Sequence, residues 1–434
     1  MRLSIAFTVA VASLLGLACQ ASVDDDASPE GSEAAIQETA PDDAAPLLVR
    51  DPRALVALEA RGLSFADVLG ASWVSGKDFL GSRKYRAMVD TIERDLAELR
   101  EQDPASGVGF DFLHRQFDPS WLRSPQSRFE LVGIANRIDR RHEGSCGDFR
   151  VIYRLAYTAE RSEGRLPMTV SFVFAQKDDG EGCAAVAQRW LGAKSGSADA
   201  LLQGPLADRS RMEWVDVNLQ AVRWPSNARK ELGGQAEYIL RTFWVKGENL
   251  GAQPLENTPR TDLGPEAREE LRGWIREHLD AIDQGTAVLP QKFLATRAIA
   301  VGPAGSARLA NRPFSQIFGA PDEAFGDLPF DKTRQVGSVA ALMRRLDTAT
   351  CQGCHQSRAL AGFHMLGEER DSAQRLNALA VGRSPHFIEE LGWRSRHLQA
   401  VIEKQPFDAP RPYPEHASDA GIAGAHCGLG DPGF

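Results

Sequence analysis

Cys351-Gln352-Gly353-Cys354-His355 is the segment whose residue types and spacing could do chemistry. Two thiols on one short turn can reach the two vinyl groups of a haem, and the adjacent imidazole then lies under the iron as an axial ligand. Gly353 lets that turn tighten. The stretch from Val336 to the end holds three of the six cysteines and six of the nine histidines: His355, His364, His386, His397, His416 and His426. Two other chemistries use the same residues. A zinc site built from Cys351, Cys354, Cys427 and a histidine such as His364 would employ every thiol of the segment. A disulfide such as Cys351–Cys427 would simply hold the tail down.

The five residues resemble the haem-attachment site of c-type cytochromes, which acquire haem only after export. The opposite end of the chain carries an export signal. Arg2 precedes an apolar run from Leu3 to Leu17, too short to span a bilayer comfortably. The run ends Leu14-Leu15-Gly16-Leu17-Ala18-Cys19, which resembles a lipobox, so Cys19 is the expected lipidation site. In lipoproteins of this kind an Asp directly after the cysteine favours the inner membrane. Gln20-Ala21 stand there instead, which points to the outer membrane. The stretches Asn136-Arg137-Ile138-Asp139 and Cys146-Gly147-Asp148-Phe149-Arg150 resemble a group of exported bacterial lipoproteins with a single CxxCH motif. That resemblance implies a shared fold and carries no activity.

These resemblances imply a haem c bound through Cys351 and Cys354, with His355 as proximal ligand, in an envelope-anchored protein of electron transfer or redox sensing. The redox partner is not named by the sequence. A typical mono-haem cytochrome has a distal methionine, but Met365 is the only methionine after Cys354. Bis-histidine ligation is therefore expected, with His397 as the sixth ligand and His364 as second choice. His397 lies in the segment Pro385–Val401, whose apolar residues Phe387, Ile388, Leu391, Leu398 and Val401 suggest a helix able to pack on the ring. The bacterial cytochrome peroxidases carry two CxxCH motifs and this chain has one, so an enzyme is not the expected reading. The competing class is a non-redox binding or structural protein of the envelope, with the motif as a disulfide or zinc staple.

The elements that position the motif read as α+β, with an antiparallel sheet core, flanking helices and a mostly helical or irregular C-terminal CxxCH segment. A signal peptide (1–19) and an acidic linker (20–46) come first. The linker has eight acids and no Lys or Arg, which leaves −1 of the net charge of −9 for the rest. So neutral a remainder offers no field for a phosphate backbone, and nucleic acid is excluded as a partner. A helical region (47–128) follows, marked by Tyr85, Met88, Val89, Ile92, Leu96 and Leu99 on one face of a helix over Ser82–Gln102. The sheet region (129–335) has short aromatic and β-branched runs at Phe129–Ala135, Phe149–Tyr157, Met168–Phe174, Trp214–Leu219 and Tyr238–Val245. Within it Pro265–Asp283 reads as a helix and 284–335 as irregular. The CxxCH segment (336–434) closes the chain.

Cys146 and Cys183 fall in the sheet region and are expected to pair, as exported thiols do. Asp139, His142 and Ser145 invite a triad, but they share one polar turn, so the turn is read as solvated and pinned by that disulfide. Gly70 to Lys77 has one residue too many for a P-loop, and no GxSxG or HExxH occurs. No catalytic residue is assigned.

Overall fold

Strand residues Phe149, Val151, Tyr153 and Leu155 alternate with Asp148, Arg150, Ile152 and Arg154, so one sheet face is apolar and the other largely polar. The computed structural model describes residues 46–70, 78–142, 144–159, 162–178, 180–223, 236–301, 311–354, 365–367 and 382–412. Among them ten strands form one sheet. They are β1 (Leu48–Val49), β2 (Ser106–Gly107), β3 (His114–Gln116), β4 (Ser127–Arg137), β5 (Asp148–Ala159), β6 (Ser162–Ala175), β7 (Met212–Arg223), β8 (Ala236–Lys246), β9 (Asn249–Gln253) and β10 (Arg297–Val301). The strands β1, β4, β5, β6, β7 and β8 follow one another across the sheet, with β9 and β10 both on the outer edge of β8. Pairing is antiparallel except between β2 and β3.

The helices are α1 (Pro52–Leu58), α2 (Phe65–Leu69), α3 (Arg83–Gln102), α4 (Cys183–Gly192), α5 (Ala198–Gln203), α6 (Pro265–Glu277), α7 (Leu279–Gln284), α8 (Pro313–Phe318), α9 (Pro321–Phe325), α10 (Val339–Thr348), α11 (Cys351–Cys354) and α12 (Pro385–Ile402). The first five belong with the apolar sheet face. Phe65 stacks on Phe129 at 4.0 Å and meets Phe79, Tyr85 and Tyr153 edge-on. The stripe of α3 is buried as its spacing requires. Its Asp95 is 1 % exposed and takes Arg241 of β8 and Arg297 of β10. Cys146 and Cys183 form a disulfide that ties the start of α4 to the approach to β5.

A second core lies under α6 to α10, built on Leu271, Ile275, Ile282, Phe314, Phe325, Leu342 and Leu346. The helix expected over Pro265–Asp283 breaks at His278, whose backbone leaves the helical region while its ring stacks on Trp274. The stretch 284–335 is less irregular than its Gly and Pro content suggests. It contains β10, α8 and α9, and small Ala298 and Ala300 of β10 lie against β8 and its neighbours. The region 47–128 contributes β1, β2 and β3 to the sheet, and Met365, Leu366, Phe387, Leu398 and Val401 from near the C-terminus enter the first core. No helix among the described residues is long and apolar enough to cross a membrane.

Candidate functional site

The register carries the polar residues of the sheet into rows. Ile152, Ser171, Asp216, Thr242 and Gln253 lie side by side across β5 to β9, and Arg154, Thr169, Asn218 and Leu240 form the next row. Such a face ordinarily meets water. Here Arg150, Arg154, Ser171, Asp216, Asn218 and Thr242 are all buried. Part of this face is the floor of a cleft of about 500 Å³, within the range of roughly 300–1,000 Å³ typical of ligand pockets. Its other walls come from the turn after β4, the loop 253–257, the end of α7 with residues 285–289, α10 with the start of α11, and α12. Trp214, Trp274, Trp393, Leu240 and Leu289 give it an apolar side.

Cys351 lies in this wall. The start of α11 is fixed from three sides. The Cys351 amide donates to Thr258 Oγ1 at 2.9 Å, and Gln352 Nε2 donates to the Ile299 carbonyl of β10 at 3.1 Å. Thr350 Oγ1 donates to the Asp347 carbonyl and accepts from the Gly353 amide. A β-carbon at Gly353 would collide with that same Asp347 carbonyl oxygen, so the second variable residue of the motif has to be glycine in this packing. Asp347 in turn caps α8, accepting from the amides of Phe314 and Ser315. The Cys351 thiol points at the Glu256 carbonyl, packs against Leu240, Leu255 and Ala300, and is free of any disulfide. Burial, with Asp216 and Glu256 nearby, pushes it up to about 12, so it stays a thiol at neutral pH.

Around the floor runs an ionic network in two clusters, one on Asp139 and Glu390 and one on Asp148, Asp216 and Glu256. Asp139 receives Arg137 at 3.0 Å, Arg394 of α12 at 3.1 Å, and Arg411. Glu390 takes Arg394 at 2.5 Å, Arg411 at 3.5 Å and His386 at 3.3 Å. Asp148 joins Arg140 and Arg150, each at 3.2 Å. Arg150 continues to Asp216, which also accepts from Thr242, and Arg140 continues to Glu256. Burial alone would raise every one of these acids. At Asp139 the three arginines outweigh it and hold the carboxyl well below its usual range. Arg394, Arg411 and His386 do the same for Glu390. Arg140 brings Glu256 down to about 2. At Asp216 burial wins over Arg150 and the carboxyl is raised. Six arginines and four carboxylates line the cleft, so its wall carries a surplus of positive charge.

The turn Asp139–Cys146 is solvated at Arg141, His142 and Gly144, as its polarity suggests, but not at Asp139. Asn136 Oδ1 accepts from the Ile138 amide and folds the chain back, and this sinks Asp139 to 3 % side-chain exposure among its arginines. Gly147 follows at φ +83°, with the Arg137 carbonyl where a side chain would be. His142 stays exposed and bridges to Ser145. Asp139 is committed to Arg137, Arg394 and Arg411, and His142 meets Ser145 through backbone hydrogen bonds of 3.0 and 3.1 Å.

The sequence-expected site residues fall as follows. Cys351 is in the cleft wall, and Cys354 ends α11. His355, His364, Cys19 and Cys427 lie outside the described residues. His397 is buried between Trp393 and Phe407, with ring centroids 5.4 and 5.2 Å away, and is not part of the cleft wall. Burial lowers it to about 4. His386, one turn before Glu390 on α12, does line the cleft. The arginines and carboxylates of the network escaped the sequence reading. The one local sign of them is charge alternating with apolar residues in β5 and β7. Comparison with protein-family models, with curated proteins and with solved structures finds no match.

Proposed function

We propose that the chain is an envelope-anchored lipoprotein holding one covalently attached haem c in this cleft, and that it serves electron transfer or redox sensing. The observation that carries the reading is the Cys351 thiol in the wall of a cleft of about 500 Å³ that has an apolar side and more arginines than carboxylates in its lining. That donor set suits the group. Cys351 and Cys354 would carry the thioether links, each formed by adding S–H across a vinyl double bond, and His355 would be the proximal ligand. The tryptophans and leucines suit the macrocycle. The surplus arginine charge suits its two propionates, since guanidinium–carboxylate pairs are strong and directional. When bound, the haem supplies one-electron chemistry. The low-dielectric walls set how far that chemistry is shielded from water.

The resemblance to exported CxxCH lipoproteins agrees with this reading, and lipid on Cys19 would anchor the protein to the membrane, with the outer membrane as the proposed site. The test is expression in a periplasm with the cytochrome maturation machinery, followed by haem staining of a denaturing gel. A stained band at the mass of the chain is expected. A colourless band with zinc in the metal analysis would transfer the motif to a metal staple and make the protein a non-redox component of the envelope.

A further inference from the structure

Three exposed large apolar side chains fall within one short loop, far from the cleft in sequence. Phe110 is 86 % exposed, Leu113 59 % and Val108 40 %. The loop joins β2 to β3 at one edge of the sheet, and its base is clamped. β2 and β3 pair with each other, His114 Nδ1 lies 2.5 Å from Asp103 Oδ2, and the Phe112 ring fills the space beside Gly107 where a β-carbon would be. Gly109, at φ +103°, turns the chain at the tip. The apolar tip is thus displayed on a fixed base. Arginines surround it. Arg115 lies over the Phe110 ring at 4.6 Å and Arg100 over the Phe112 ring at 5.4 Å. Arg223 of β7 stands directly opposite Arg115 in the register. Like charges so placed in a sheet repel. Among the described residues none of these three arginines has an ion-pair partner, and the exposed Glu101 and Asp111 beside them in sequence pair with none of them.

We infer that this loop and its arginines are a second membrane contact, which lays the β2–β3 edge of the sheet on a bilayer with anionic phosphate headgroups. The inference rests on the lipid-anchor part of the proposed function and is independent of the haem. Residues 20–46 follow the lipidated cysteine in that reading, and even fully extended they span about 90 Å, at about 3.4 Å per residue. The folded body is then confined near the bilayer, and confinement raises the effective concentration of any surface patch. A contact that is weak and reversible without the tether therefore suffices to orient the body. The patch has the two parts that an interfacial contact uses, apolar side chains for the acyl boundary and cations at headgroup level. Arg115 over Phe110 and Arg100 over Phe112 combine them, the ring on the apolar side and the guanidinium facing phosphate. A specific protein interface takes roughly 800 Å² from each partner, more than so short a loop supplies. A fluid bilayer closes around a protrusion of any size.

The experiment uses the chain from Gln20 to its end, which contains both cores entire, exported behind a cleavable signal so that it carries no lipid. Its binding is read by co-sedimentation with vesicles of phosphatidylethanolamine and phosphatidylglycerol, and with vesicles of phosphatidylcholine alone. Wild type should bind the anionic vesicles more tightly, and hydrogen exchange should slow across 107–113 when they are added. Phe110→Asp with Leu113→Asp should lower the affinity about tenfold or more. Arg115→Gln and Arg223→Gln should each cost about fivefold on anionic vesicles and little on phosphatidylcholine. Val56→Asp, at an apolar residue of α1 that is 66 % exposed, should change nothing. Each of these side chains is exposed, so all variants should melt as wild type does. A wild type that binds neither vesicle overturns the inference. So does a Phe110→Asp, Leu113→Asp protein that binds as wild type does, or slowed exchange confined to other segments. The lipid anchor fails separately, on the mass of the N-terminal peptide of the native protein: an unmodified Cys19 there removes the tether and leaves the vesicle result in place.

Discussion

Asp139→Asn isolates what the ionic network contributes. The substitution conserves shape and removes one negative charge from the point where Arg137, Arg394 and Arg411 converge. Arg137 and Arg394 have side-chain exposures of 2 % and 1 %, so water cannot replace the lost carboxylate. Arg394 keeps Glu390 at 2.5 Å, and Arg411, at 20 % exposure, can turn partly to solvent. The main uncompensated charge is thus at Arg137 and the Asp139 face of Arg394. Breaking a buried pair from one side costs about 3–5 kcal/mol. That is a large part of a typical stability of about 5–15 kcal/mol. Urea titration followed by tryptophan fluorescence, with an unchanged slope, should show this loss. Glu93→Gln is the control. Its partner Arg123 has a side-chain exposure of 47 %, so the same chemical change should cost under about 1 kcal/mol. Equal small effects at both sites would refute the claim that the cleft network is desolvated and structurally committed.

Acid should act on the same network. Asp139, Glu390 and Glu256 are depressed in the folded state, so the stability they confer is present above the ordinary carboxylate range and is lost as pH falls toward 2. Glu59 runs the other way. Burial pushes it up to about 7 although the Leu131 amide donates to it, so the folded chain holds a proton that the unfolded chain has released, and stability declines between pH 4.5 and 7. Melting curves of Glu59→Gln should lose that decline, and an unchanged pH profile would contradict it. Gly353→Ala should cost about 1–3 kcal/mol through the collision with the Asp347 carbonyl and should lower haem yield. A wild-type melting temperature and a full haem stain would refute the packing described for α11. Cys19→Ser should release the protein from membranes or leave it as precursor, and unchanged fractionation with membranes would refute the lipid anchor.

The fold was legible where period and residue type act locally. The five long strands and α3 stand where alternation and the apolar stripe put them, because each buries its own face against a neighbour. The short pairings β1, β2 and β3 have no period to read, since two or three residues cannot show one. The cleft was hidden for a different reason. Asp148, Arg150, Asp216 and Asn218 alternate with apolar neighbours just as a solvated face would, and only the packing of α10 to α12 over the sheet turns that face inward. Asp139 meets Arg394 and Arg411 across 255 and 272 residues of sequence. No local pattern encodes such a meeting. The CxxCH motif was visible at once because its chemistry is written in five consecutive residues.

The central claim is that Cys351 and Cys354 carry haem, and the most direct measurement is the mass of the peptide containing them. The full chain, matured in a periplasm with the cytochrome apparatus, is digested without reduction and the fragment spanning Cys351 to His355 is weighed. The account predicts that fragment with the mass of one haem added and both cysteines resistant to alkylation. The same fragment at its unmodified mass, with both thiols alkylated or joined to other cysteines, would contradict it.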